Sequence, residues 1–196
     1  MPRRYTLVTL VLITALLSIW ATIGCAQLPA PVHVTLDPTV RYQTMQGFGT
    51  CTYLYGEEMT KIYPTTQFQD MYMKDLGCTM MRMEIQPEML ATPDDDMEHL
   101  NVEKLDWKNN GINVNGHLAQ ALAARKSDEF KVFASIWSPP GWMKDTHVTG
   151  NGGHVLPKYR AAFGKYLAAI CRGFEDKFGI PIYAISLQNE LTFSEF

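Results

Sequence analysis

Four short stretches of this sequence carry residues whose types and spacing could do chemistry. The clearest is Ser186-Leu187-Gln188-Asn189-Glu190, which closes the apolar run Ile182–Leu187. A carboxylate at the end of an apolar strand loses hydration, which is costly unless the group is paired or functional. Packing supplies no reason for an acid there, so Glu190 is a candidate catalytic group. Trp137 and Trp142 stand among the rigid prolines of Trp137-Ser138-Pro139-Pro140-Gly141-Trp142-Met143-Lys144. Such rings suit a sugar platform, because the apolar face of a pyranose stacks on an aromatic ring. Two core tryptophans beside a turn would leave the same sequence. Arg82 and Glu84 alternate in Met80-Met81-Arg82-Met83-Glu84 and so share one face of a strand.

These residues need elements to hold them. Four apolar runs are short enough to be strands: Gln46–Tyr53, Thr79–Ile85, Lys131–Ile136 and Ile182–Leu187. Between them lie segments of helical period. Phe68, Met71, Tyr72 and Leu76 form one stripe, ended by Gly77; Leu118, Ala121 and Leu122 form a second. The third joins Tyr159, Phe163, Tyr166, Leu167, Ile170, Phe174 and Phe178, with Pro157 at its start and Gly179 just past its end. Its aromatics read as a core face. Strand alternating with helix points to an α/β fold with parallel strands. The last two runs are nearly continuous, as in strands covered on both faces. Ligands of such folds bind outside the carboxyl ends of the strands, where Arg82, Trp137 and Glu190 fall. Periodicity leaves a doubly wound sheet and a (β/α) barrel both open. No Gly-x-Gly-x-x-Gly or Walker loop follows a strand, which counts against nucleotide binding.

Composition sets further bounds. With 46% hydrophobic and 19% charged residues, the chain is neither disordered nor low in complexity. Its net charge is -3, or -5 once Arg3 and Arg4 are removed, with no basic stripe for nucleic acid. Asp94-Asp95-Asp96 with Glu98 does not fit a calcium loop and reads as a solvated turn. Thr149-Gly150-Asn151-Gly152-Gly153 reads as a flexible connection. The cysteines, Cys25, Cys51, Cys78 and Cys171, lack zinc spacing, and no metal or other cofactor is expected. A Cys51–Cys78 bridge between neighbouring strands and free thiols are both compatible with the sequence.

At the N-terminus, Met1-Pro2-Arg3-Arg4 precedes the uncharged apolar stretch Tyr5–Ile23, the form of a secretion signal over residues 1–26. Thr22-Ile23-Gly24-Cys25 resembles a lipoprotein processing site at Cys25, and Gly24-Cys25-Ala26 also satisfies ordinary cleavage. An uncleaved anchor is the remaining reading. The expected location is secreted or in the cell envelope, with membrane contact only through this segment.

Taken in order, Met45-Gln46-Gly47-Phe48-Gly49, Gly77-x-x-x-x-Arg82, Ala134-Ser135-Ile136-Trp137-Ser138-Pro139-Pro140-Gly141-Trp142-Met143-Lys144 and Ser186-Leu187-Gln188-Asn189-Glu190 resemble the N-terminal half of glycoside hydrolase family 30. That group includes glucosylceramidases, β-1,6-glucanases and glucuronoxylanases. The resemblance implies a (β/α)8 barrel with a β-sandwich at its side. Residues 27–44, which begin as an alternating strand at Val32–Gln43, would belong to the sandwich, and 45–196 would be about the first four βα units of the barrel. It implies that Glu190 is the general acid/base, Asn189 bonds the sugar 2-hydroxyl, Trp137 lines the site of the cleaved sugar, and Arg82 helps hold the nucleophile. Trp142 matches more loosely. Ile136 and Leu191 stand where the family commonly has proline. Glu84, Glu88 and the Asp94–Asp96 loop are the candidates for a further sugar-contacting acid. The substrate class implied is a β-linked glycan or glycoside, cleaved with retention by two carboxyls about 5–5.5 Å apart. The family's nucleophile is a glutamate after strand seven, and a whole barrel takes ~250 residues. The expectation is therefore a partial barrel, inactive alone. The alternative is a non-catalytic carbohydrate-binding surface lipoprotein.

Overall fold

The computed structural model describes residues 31–52, 57–108, 110–125, 130–150, 152–190 and 192. The chain divides into two compact units, Met1–Thr44 and Met45–Phe196. In the first, the described residues carry no strand. They form a turn in which Asp37 accepts from the Thr39 amide at 2.9 Å and the Thr39 hydroxyl at 2.6 Å. The strand expected at Val32–Gln43 has no ladder partner among the described residues, and Pro38 removes one of its donors. The signal segment and Cys25 lie outside the described residues.

The second unit alternates strand and helix. It contains β1 (Gly49–Cys51), α1 (Glu57–Ile62), α2 (Thr66–Asp70), β2 (Met80–Ile85), α3 (Asn110–Ala123), β3 (Lys131–Ile136), α4 (Arg160–Phe178) and β4 (Ile182–Ser186). The four strands form one parallel sheet in the order β1-β2-β3-β4. Arg82 stands opposite Cys51 on one side and Phe133 on the other; Glu84 pairs with Ser135, and Ser135 with Ser186. One face of the sheet is sealed: Met81, Met83, Ile85, Val132, Ala134 and Ile136 are buried with Leu122, Ile170 and Phe174 in the core. The opposite face carries Arg82, Glu84, Phe133 and Ser135.

Each helix is fixed by local chemistry. Thr65 caps α2, its hydroxyl accepting from the Phe68 amide at 3.2 Å. The helix then widens into a π turn over Met71–Asp75, closed by the Leu76 amide on the Met71 carbonyl. Extra residues in that turn rotate the later side chains off the expected stripe. Tyr72 is buried, but Met71 and Leu76 are exposed. The Tyr72 hydroxyl donates to the Met80 carbonyl at 2.8 Å and accepts from the Thr50 amide at 3.2 Å, joining the helix to β1 and β2.

Helix α3 buries Ile112, Leu118, Ala119 and Leu122. Its buried Asn115 accepts from the Thr52 hydroxyl at 2.6 Å and donates to the Gly111 carbonyl at 2.9 Å. Pro157 sits in a single 3-10 turn, Pro157–Tyr159, that leads into α4. Gly179 ends α4 at φ 70°, its amide returning to the Glu175 carbonyl. Gly173 is a packing requirement, since a Cβ there would lie 2.2 Å from the Trp107 ring.

Cys51, Cys78 and Cys171 are free thiols, the default reading of the sequence, with Cys51 exposed on β1 and Cys78 buried ahead of β2. Two expectations need correction. Strand β4 is not covered on both faces. Tyr183, skipped where the β3–β4 register shifts between Val132 and Phe133, is 58% exposed. Thr149–Gly153 is not a free connection either: Lys144 holds the Thr149 and Gly150 carbonyls at 3.0 and 3.4 Å. The acidic loop is a set of local ion pairs, Asp94 with Lys104, Asp96 with His99 and Glu98 with Lys165. Those partners hold the carboxyls of Asp94, Asp96 and Glu98 below their ordinary range.

Candidate active site

Arg82 projects from β2 on the face that the helices leave open, and its guanidinium ties neighbouring strands together. Nε donates to Ser135 Oγ of β3 at 3.1 Å, Nη1 approaches Cys51 Sγ of β1 at 3.5 Å, and Nη2 donates to Asn189 Oδ1 beyond β4 at 2.5 Å. The guanidinium carbon lies 5.4 Å from the centre of the Trp137 ring, a cation–π contact. Three residues singled out in the sequence, Arg82, Trp137 and Asn189, thus converge. Rigid planarity suits Arg82 to this task, since its fork of donors reaches several acceptors at once.

The backbone beyond the strands is equally constrained. The Trp137 amide donates to the Ile85 carbonyl at 3.0 Å and the Asn189 amide to the Ile136 carbonyl at 2.7 Å. These bonds continue the ladders past the strand ends and set the two residues side by side. Asn189 is 8% exposed. With Oδ1 occupied by Arg82, its amide nitrogen still carries two N–H donors. Ser186 Oγ donates to the Gln188 carbonyl at 2.7 Å, shaping the turn. Glu190 follows with its side chain exposed and its backbone at φ 45°. A left-handed glutamate is strained, by roughly 1–3 kcal/mol, and such strain concentrates at functional sites.

The other candidates differ in their surroundings. Glu84 is 3% exposed, level with Ser135 in the β2–β3 ladder. The side chain of Glu88 lies outside the description, and Asp94 and Asp96 are engaged locally by Lys104 and His99. Trp142 sits in the 3-10 turn Gly141–Met143, its Nε1 donating to the Leu90 carbonyl at 3.0 Å and its ring edge-on to Tyr159. It does not touch Arg82.

Sequence reasoning missed three participants. Ser135 and Cys51 reach the face of Arg82 through the register of the three strands, which alternation along any one strand does not fix. Lys144 is 1% exposed, and its ammonium donates to Ser138 Oγ at 3.1 Å as well as to the two loop carbonyls. Burial pushes its amine below the ordinary lysine range. Three neutral acceptors compensate that burial, and they lock the loop after β3 against the Trp137 turn.

A parallel sheet wrapped by helices on one face, with a polar cluster at its carboxyl ends, defines part of a (β/α) barrel with its site in the usual place. Comparison with known proteins makes this specific. Residues 86–195 match the model of the glycosyl hydrolase family 30 TIM-barrel domain, and the chain belongs to that family. It is 28% identical over 182 residues to "Putative glucosylceramidase 1" of Caenorhabditis elegans, covering 82% of this chain and 33% of that one. It is 29% identical over 175 residues to an endo-1,6-beta-D-glucanase of Neurospora crassa, with 80% and 36% covered. Among solved structures, the family 30 subfamily 8 xylanase Xyn30A of Clostridium acetobutylicum superposes with a TM-score of 0.57 at 25% identity, covering 79% of this chain and 35% of that one. The chain therefore spans about a third of the length of the relatives it matches.

Proposed function

We propose that this chain carries the sugar-binding and acid/base side of a retaining β-glycosidase acting on a β-linked glycan or glycoside. The observation that carries the reading is the Arg82 clamp: it fixes the Asn189 amide beside Trp137, one residue before Glu190. In this reading the sugar stacks on Trp137, its 2-hydroxyl takes a bond from Asn189, and Glu190 protonates the leaving oxygen. A second carboxylate must attack the anomeric carbon from the other side. The family resemblance assigns that role to a glutamate after a seventh strand; four strands are described here. The 196-residue polypeptide by itself then binds sugar without hydrolysing it. Its apolar leader, Tyr5–Ile23, supports export to the cell envelope or beyond, with Cys25 a lipidation candidate. Among the described residues no helix is long and apolar enough to cross a membrane.

Calorimetry of the purified chain with methyl β-D-glucopyranoside and methyl β-D-xylopyranoside tests this. One of them binds, and Asn189→Ala weakens it about tenfold, the worth of one buried hydrogen bond. A folded chain that binds neither would refute the sugar-site reading. Turnover of an aryl β-glycoside by this polypeptide, abolished in Glu190→Gln, would refute its inactivity.

A further inference from the structure

We infer that the helix side of the sheet holds a binding site, separate from the Arg82 cluster, for a small neutral aromatic molecule that carries a hydroxyl or N–H donor. The site is a cavity of about 410 Å³ between the turn after α1, helix α2 and helix α3, within the range of small-ligand sites. Tyr63, Val114, Leu118 and Ala121 supply apolar wall, and Gln69 and Asn113 the polar part. Leu118 belongs to the core under the sealed face of the sheet, whereas Arg82 lies on the opposite face. The glycosidase reading gives this cavity no part, and the inference does not depend on that reading.

The chemistry of the walls selects the ligand. Gln69 is only 8% exposed, and its Nε2 donates to the Tyr63 and Pro64 carbonyls, each at 3.3 Å. Those two acceptors use both amide hydrogens and fix which end of the amide is oxygen. Oε1 is left over, with no donor among the described residues, on a buried side chain that lines the cavity. Asn113 repeats the arrangement: Nδ2 donates to the Trp107 carbonyl at 3.3 Å, and Oδ1 has no donor among the described residues. A sheltered acceptor without a donor is costly, and a ligand hydroxyl or N–H removes that cost. No Asp, Glu, Lys or Arg lines the cavity. Burial pushes the Tyr63 phenol up to about 12, so this wall is uncharged at neutral pH. His117 lines the cavity too, but it is exposed, with its ring edge-on to Phe178 at 5.3 Å. A charged ligand would therefore lose hydration without gaining a buried counter-charge. The walls are also set before a ligand arrives. Tyr63 packs on Phe68 with 4.9 Å between ring centres, and Gln69 clasps the turn that carries Tyr63. A flat ring fills such a space at little ordering cost, with its donor on the leftover carbonyls. A phenol is the simplest molecule that meets both demands.

The test is calorimetry of the 196-residue chain with p-cresol and with 4-methylanisole, its O-methylated counterpart that lacks the donor. The phenol binds saturably, and the methyl ether binds about fivefold more weakly, the worth of one hydrogen bond. Gln69→Met removes the acceptor and brings the two ligands close to equal affinity. Ala121→Trp and Val114→Trp each fill the cavity from α3, with thermal melting to select a folded variant, and abolish binding of the phenol. Absence of saturable p-cresol binding by the folded parent chain overturns the site, as does binding that persists in a folded cavity-filled variant. Equal affinities of the parent chain for the two ligands overturn the donor assignment and with it the proposed ligand class. Should Gln69→Met fail to fold, the ligand pair on the parent chain decides the same point.

Discussion

At the scale of the residue, the site depends on one guanidinium with three assigned acceptors. Ser135 and Cys51 hold Arg82 from two neighbouring strands, so the Asn189 side chain is oriented at second hand by groups of β1 and β3. Ser135→Ala removes the Nε acceptor and frees the guanidinium to turn. The expected result is about a threefold to tenfold loss in the preference for a β-glucoside over its 2-deoxy analogue, with the 2-deoxy affinity itself little changed. Ser135→Thr restores the preference. Equal loss for both sugars would instead mean general damage to the cleft. The candidate residues stood out because each is a rare type in or just after an apolar run, an arginine within β2, a tryptophan after β3 and an acid after β4. Ser135, Cys51 and Lys144 did not, since a small polar residue in a strand and a lysine in a loop are ordinary in sequence. Only the register turns them into partners.

At the scale of the element, the loop after β3 is organised by a buried cation. Lys144→Met keeps the length and apolar stem but strips hydrogen bonds from Ser138, Thr149 and Gly150. The predicted loss is roughly 1–3 kcal/mol of unfolding free energy, since the buried Ser138 hydroxyl and the part-buried Thr149 and Gly150 carbonyls lose their donor. The pH dependence has a definite sign. Burial lowers the folded amine below its unfolded value, so on raising pH the folded state gives up the proton first. In the window below the unfolded lysine value, the unfolded state binds more protons, and stability contributed by this group rises with pH. Denaturant melts at pH 8 and pH 10 should therefore show the parent gaining on Lys144→Met. An unchanged difference would mean that the amine does not titrate in that window. Elements were largely legible too. Strands β2, β3 and β4 and helix α4 lie close to where their apolar periods put them. The helix before β2 departed because a π turn breaks the 3.6 period, and no residue type announces such a turn. A second element test concerns α4: Gly173→Ala drives a methyl into Trp107 and should cost about 1–3 kcal/mol in the same melts.

At the scale of the whole molecule, the two faces of the sheet are unequal. Helices seal one face, while the other holds the Arg82 cluster beside the half-buried Phe133. Near its borders Phe48, Tyr183 and Leu187 are exposed, and among the described residues β1 and β4 each carry a single ladder. The near-continuous apolar run of β4 suggested cover on both sides, but cover belongs to neighbouring elements and is not written in the run. The same run explains why the order of motifs, rather than any local pattern, revealed the barrel type. Open edges bordered by large apolar side chains favour pairing with another chain. Sedimentation of the purified 196-residue polypeptide should therefore show association that grows with concentration. Tyr183→Lys combined with Leu187→Lys puts charge on the β4 edge and should shift the population toward monomer while leaving the sealed core, and hence the melting transition, intact. A parent chain that stays monomeric across that concentration range would show that its open face and edges do not drive assembly.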